Sequence, residues 1–177
     1  MGEDLDGYSI SLGGSVILFG TKGDGSLYKV GINDHFDNNK LLDKFELSNV
    51  SLVTSGNYER YFELGGRKYH HIIDSSTLYP SFKYASVTVI YEDSSIADAL
   101  STALFCLDVD ESKRILANYL GIQAILVTLA YEMNVLTLIF YITFDSFWVC
   151  FTYGQVKYPS LQKVCSFKIS ILREKII

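Results

Sequence analysis

Residues 85–107 read ASVTVIYEDSSIADALSTALFCL, and the fold class turns on this stretch. Its first seven residues, Ala85 to Tyr91, are rich in β-branched side chains, which suit the pleated surface of a strand. The apolar period then changes. Ile96, Leu100, Ala103 and Leu104 recur at helical spacing after Asp93 and Ser94, either of which can serve as N-cap. The stretch predicts a strand to Tyr91 and a helix over about 95–107.

Upstream, alternation dominates. Val16 and Leu18, then Tyr28, Val30 and Ile32, with Gly20, Gly23 and Gly25 between them, predict a β-hairpin with a loose turn. A second hairpin is predicted from 58–64 and 67–73, joined by Gly65-Gly66, which can take the positive φ angles of a tight turn. Downstream, a second helix is expected after Asp110, with Ile115, Leu116, Tyr119 and Leu120 on one face and Gly121 as terminator. Residues 122–128 are apolar and short enough for a buried strand. Strands followed by helices give an α+β fold, here a mixed or antiparallel sheet of β-hairpins followed by two packed helices.

Beyond Thr128 the character shifts. Residues 135–151 are nearly continuous apolar and aromatic sequence, broken by Asp145, with neither clean helical nor clean strand period. The run falls short of the roughly 18–20 uncharged residues of a spanning helix. Asp145 near its middle opposes insertion by about 2.5–3.5 kcal/mol. A buried core segment, or a tail foreign to the rest of the domain, is favoured over a membrane anchor.

A chain of 177 residues fits one domain plus appendages. With 15 Lys+Arg against 20 Asp+Glu, a net charge of -5 and no basic cluster, nucleic acid is not an expected partner. Cys106, Cys150 and Cys165 lack metal-site spacing and are odd in number, so they are read as reduced thiols. Residues 1–7 carry Glu3, Asp4 and Asp6 where a secretory signal would have a basic start and an apolar run.

Asp98 and Thr102 lie four apart, and so stack on one helix face off the main apolar stripe. A carboxylate beside a hydroxyl suits Mg²⁺, a hard cation that takes oxygen ligands and keeps waters or phosphates in its remaining positions. A plainer reading makes them a surface aspartate and a threonine bonded back to its own helix. His70 and His71 point to opposite faces of a strand, and an imidazole titrating near neutrality could move a proton. Taken alone, such a pair on a hairpin strand is more often ordinary surface and core. Gly13-Gly14 and Ser55-Gly56 let a backbone approach a ligand closely, although double glycines also simply turn chains.

Three stretches carry a resemblance: SLGGS at 11–15, the run from SGNYERYF to YHHIID within 55–74, and ADALSTALF at 97–105. In this order they are similar to the flavin transferases first known as thiamine-biosynthesis lipoproteins, the ApbE family. The likeness covers residues 7–128, the C-terminal part of such a domain, and leaves 129–177 as a divergent apolar tail. It implies a T-fold-like half domain. It also implies Mg²⁺-dependent transfer of FMN from FAD onto a threonine of a target flavoprotein, with release of AMP. By the same likeness Asp98 and Thr102 bind the magnesium, and His71 rather than His70 contacts FAD or handles the proton. Gly13, Gly14, Ser55 and Gly56 then line the FAD cleft, and Asp74 orders the loop after the second hairpin. The alternative is a catalytically incomplete FAD-binding or interaction module, membrane-associated through 135–151.

The pattern is departed from in places. An aspartate usually follows the double glycine where this chain has Ser15, and the aspartate–lysine–threonine–glycine turn reads Asp74-Ser75-Ser76-Thr77-Leu78. If that turn needs positive φ, Leu78 is strained by about 1 kcal/mol or more. The family's Lys-Gly-Tyr segment, which brings a further magnesium ligand, is reduced to Gly7-Tyr8. A truncated gene, a retained intron or a frame change would account for both ends. Bacterial members are commonly tethered outside the cytoplasm, but no lipidation cysteine or export signal is seen, so location stays open.

Overall fold

Gly13 and Gly14, at φ 44° and 96°, reverse the chain between β1 (Gly7–Leu12) and β2 (Ser15–Gly20), which pair antiparallel. The computed structural model to which these elements belong describes residues 6–34, 37, 39–129, 132–143 and 146–157, the last two stretches by their backbone. The expected hairpin between Val16–Leu18 and Tyr28–Ile32 is not formed. Instead β2 lies between β1 and β5 (Val50–Gly56), while β3 (Tyr28–Asn33) pairs with β4 (Leu41–Leu47) in a separate two-stranded ribbon. The reason is packing. Ile32, Leu42 and Leu47 bury themselves with Leu18 and Leu52, so the ribbon lies across the sheet's face and both edges of β2 are left to other strands. Ser48 donates its hydroxyl to the Gly20 carbonyl, and Asn49 accepts from the Gly20 N–H at 2.9 Å, returning the chain to β5.

Gly65 and Gly66, at φ 60° and 75°, close the second hairpin as expected. It is shorter than its sequence pattern, pairing β6 (Tyr61–Leu64) with β7 (Arg67–His70). A small hairpin of β8 (Ile73–Asp74) and β9 (Tyr79–Pro80) follows, and then β10 (Tyr84–Tyr91) enters the sheet beside β5.

Asp93 starts α1 (Ser94–Cys106) by accepting from the N–H groups of Ser95 at 2.8 Å and Ile96 at 3.1 Å. The second helix, α2 (Val109–Leu116), begins earlier than Asp110 predicted, because Asp108 and Glu111 form a reciprocal capping box. It also ends before Gly121. The Asn118 side chain bonds back to the carbonyls of Arg114 and Ile115, Leu120 is exposed, and Gly121 at φ 79° only steers the chain onward.

The strand expected over 122–128 is β11 (Gln123–Thr128), buried next to β10. The apolar run that followed neither period continues the sheet, as backbone strands β12 (Glu132–Thr143) and β13 (Ser146–Lys157) paired with one another. Asp145 lies outside the described residues, as do the side chains of Cys150 and Cys165. Among the described residues no helix is long and apolar enough to cross a membrane.

The sheet thus runs β1-β2-β5-β10-β11-β12-β13, antiparallel at every pairing. One face carries α1, whose Leu100, Leu104 and Phe105 pack with Leu116 of α2 onto Val53, Val87, Val89, Ala124 and Leu126. The other is covered at its centre by the β3–β4 ribbon. Leu104 and Phe105 are fully buried, so truncating either to alanine should cost about 2–5 kcal/mol.

Candidate functional site

Along the seam between α1 and β5, the apolar packing gives way to hydroxyls. Ser101 lies in the buried stripe of α1 and donates to the Asp98 carbonyl at 2.9 Å. With that proton committed, the Ser55 hydroxyl 2.8 Å away must donate to Ser101 Oγ. Ser55 Oγ is then an acceptor for Thr102 Oγ1 at 3.2 Å. Both lone pairs of Thr102 are thereby left for an outside partner, on the exposed face that also carries Asp98. Thr102 Oγ1 also lies 3.4 Å from the Asp98 carbonyl, the back-bond of the plainer helix-surface reading, and whichever of these two acceptors takes its proton, its lone pairs stay free.

The glycine turn meets the same seam from the sheet side. The Gly14 carbonyl accepts from Thr54 N–H at 2.9 Å, and a Cβ on Gly14 would lie 3.2 Å from the Thr54 carbonyl. Residue 14 is therefore glycine for two reasons, its φ of 96° and this close approach. Gly56 is closed over by the Tyr58 ring, which a Cβ there would strike at 2.5 Å. Gly14 is thus tied to β5 one residue before Ser55, and Ser55 to the turn of α1 that carries Asp98 and Thr102, with Gly13 and Gly56 next to these contacts in the sequence.

His71 and Asp74 stand on a neighbouring segment. It is anchored to the last turn of α1 by Ser81, which donates to the Phe105 carbonyl at 2.9 Å, and by His70, whose ring centroid is 5.5 Å from that of Phe105. By helix rise Phe105 lies roughly 4.5 Å along α1 from Thr102. The loop leaving Gly56 ties the two groups, because the Arg60 carbonyl accepts from His71 N–H at 3.2 Å. That carbonyl also faces His71 Nδ1 at 3.3 Å. A carbonyl only accepts, so Nδ1 carries the proton and exposed Nε2 keeps a lone pair able to take one. Arg60, Tyr61, Phe62, Tyr69, His70 and His71 line a groove of about 310 Å³ here.

His70 is the structural member of the pair. It is buried, its Nε2 lies 2.7 Å from the Ser81 carbonyl, its Nδ1 accepts from Ile72 N–H, and burial lowers its pKa. Asp74 is held as the carboxylate by the hydroxyl and backbone N–H of Ser76, which lower its pKa. The turn it organises places Leu78 at φ 59°, the left-handed region in which glycine is unstrained. Burial and the nearby Asp74 charge push the Cys106 thiol up, which makes it a poor nucleophile.

Two participants escaped the reading of the sequence. Ser101 was hidden inside the apolar stripe, where a lone serine among Ala97, Leu100 and Leu104 was the available signal. Arg60 acts through its backbone carbonyl, for which no side-chain pattern exists.

A sequence model of the ApbE family matches residues 2–126. The chain belongs to the ApbE family. It is 37% identical to the FAD:protein FMN transferase of Treponema pallidum over 133 residues, 70% of this chain and 37% of that protein. To a Klebsiella pneumoniae protein of the same name it is 39% identical, over 67% of this chain and 36% of the other. Among solved structures, an ApbE protein of Thermotoga maritima superposes with TM-score 0.63 at 36% identity, covering 68% of this chain and 40% of that one. The apo flavinyl transferase ApbE of Pseudomonas stutzeri gives 0.54 at 28% identity, over 83% and 41%. The chain therefore spans about two fifths of the length of these ApbE relatives. The α+β fold, antiparallel and hairpin-built, is that of the ApbE flavin transferases.

Among the described residues no group of three or more His, Cys, Asp or Glu is placed to hold a metal. One exposed carboxylate and one threonine hydroxyl with free lone pairs remain, all hard oxygen. Such a pair fits Mg²⁺, which is usually held by one or two protein ligands and completes its shell with water and phosphate oxygens.

Proposed function

We propose that this chain carries the nucleotide- and metal-binding part of a flavin transferase, moving FMN from FAD onto a threonine hydroxyl of a target flavoprotein with release of AMP. The observation that carries the reading is the Ser101–Ser55–Thr102 hydroxyl chain at the α1–β5 seam, one residue from the strand position bonded to the Gly14 turn and on the exposed helix face that carries Asp98. Asp98 and Thr102 would hold Mg²⁺, which when bound neutralises charge on the FAD pyrophosphate. Ser55 holds the Thr102 hydroxyl so that its lone pairs face outward, and Ser101 holds Ser55. In the transfer, the threonine oxygen bonds to the FMN-side phosphorus, the bond from that phosphorus to the AMP oxygen breaks, and AMP leaves. His71 Nε2 takes the hydroxyl proton. Positioning and charge neutralisation supply most of the rate, as is general for transfer at phosphorus.

A second reading, an FAD-binding module without turnover, is favoured by one observation, the two fifths of relatives' length that the chain spans. One experiment separates the two. The full chain is incubated with FAD, Mg²⁺ and a threonine-bearing acceptor already shown to be flavinylated by an intact relative. In-gel flavin fluorescence that survives denaturation and disappears with EDTA is the expected result. Its absence, with FAD still retained on the protein, establishes the binding module. Absence of both ends the flavin reading.

A further inference from the structure

The sheet stops at β1 with one edge unpaired among the described residues. This edge lacks the features that ordinarily blunt one. Neither β1, GYSISL, nor β2, SVILFG, contains a charged residue or a proline. The edge is also held ready. Thr21 N–H donates to the Asp6 carbonyl at 3.3 Å, pinning the start of β1 to the end of β2, and the Tyr8 and Phe19 rings stack with centroids 5.2 Å apart.

The two faces of this edge differ. Ser9 pairs with Leu18, whose side chain is buried under the β3–β4 ribbon, so Ser9 and Ser11 share that face. Tyr8, Ile10 and Leu12 alternate with them and lie, with Phe19, on the face that carries α1. Helix α1 packs on β10 and β5 and barely reaches β2, so this strip is uncovered: Tyr8 is 43% exposed, Ile10 42%, Leu12 66% and Phe19 52%. Four adjacent large apolar side chains beside a ready strand edge mark a surface built to be covered.

We propose that β1 and this strip form the seam along which the remaining part of an ApbE fold docks, adding a strand to β1. The relatives supply the occupant, since about three fifths of each lies outside the region this chain matches. The incoming strand must alternate, with apolar residues meeting Tyr8, Ile10 and Leu12 and small polar ones meeting Ser9 and Ser11. The same seam serves whether the remaining part is on this polypeptide or on another. The proposal rests on family membership and not on flavin transfer, so either can fail without the other.

The test co-expresses the tagged full chain with the part of the Treponema pallidum relative outside its matched 133 residues. The expected result is a one-to-one complex with slowed hydrogen exchange at β1 amides. Ile10→Lys should weaken it at least tenfold, and Leu120→Lys, at an exposed site after α2, should leave it intact. A chain that purifies alone, or a homodimer protecting the same amides, overturns the proposal. Should the relative's part be insoluble, it is joined covalently ahead of Gly7; β1 amides that then exchange as fast as in the chain alone overturn it equally.

Discussion

Ser55 Oγ of β5 and Ser101 Oγ of α1 lie 2.8 Å apart, and Ser101 is fully buried. This contact fixes the depth at which the helix sits on the strand end, and with it the aim of Thr102. Replacing Ser101 by alanine leaves Ser55 without its acceptor. The expected loss is about 1 kcal/mol of stability, the net worth of a typical hydrogen bond. A urea midpoint lowered at unchanged slope is the measurement, and an unchanged midpoint would show the contact to be energetically idle.

Among the described residues Asp98 is the carboxylate that shares the exposed face of α1 with Thr102, so under the proposed function its removal should act on magnesium before it acts on the fold. In Asp98→Ala, Mg²⁺-dependent FMN transfer should fall about a hundredfold, the scale of removing one electrostatic stabiliser. The thermal shift given by Mg²⁺ with FAD should vanish while that of the free protein stays put. Thr102→Ser, which keeps the hydroxyl, should retain both signals, and Thr102→Val should lose them.

His70 makes a pH prediction whose sign follows from its burial. Its pKa in the folded state lies below the ordinary value near 6.5, so between the two the unfolded chain binds more protons. The stability it contributes is present above about pH 6.5 and is lost as pH falls towards the folded pKa, where the loss levels off. Protonation would put a proton on Nδ1, against the Ile72 N–H that it now accepts. Urea unfolding between pH 7.5 and 5 should show this slope, and His70→Gln should flatten it. The carboxylates of Asp74 and Asp108 are depressed by their turn and cap bonds, so their contribution is lost at lower pH, below about 4.

Leu78 is exposed and held at φ 59°. Leu78→Gly removes the left-handed penalty of about 1–2 kcal/mol and loses part of it to greater unfolded-state freedom. A net gain of roughly 0.5–1 kcal/mol in urea unfolding is expected. A loss instead would mean that the leucine side chain makes up for its own strain.

Much of this architecture was legible because local signals agreed with the tertiary outcome. Asp93 before an apolar stripe marked α1, Gly65-Gly66 marked a hairpin, and the four-residue spacing of Asp98 and Thr102 put both on the exposed face of the helix. The failures were non-local. Nothing in Val16–Leu18 says whether it pairs with the next alternating run or with one beyond it; burial of Ile32 and Leu47 against Leu18 decides that. The run over 135–151 concealed its strands because nearly continuous apolar sequence carries no period of two. Ser101 and the Arg60 carbonyl join the site through contacts that only packing creates.

The β3–β4 ribbon lies between β2 and β5 in the sequence but not in the sheet, with a consequence for how the chain acquires its structure. The hairpins β1–β2, β3–β4 and β6–β7 each close over a short stretch and can form independently and early. The central pairings join distant segments, as in the Thr54–Thr88 hydroxyl contact across 34 positions, and they can lock only after the ribbon has folded out of the way. The cost of closing a loop grows with that separation, so the β5 pairings are expected to form after the local hairpins. The strand that presents Ser55 is therefore among the last to be fixed, and until it is, the apolar faces of the finished hairpins stand open to other chains.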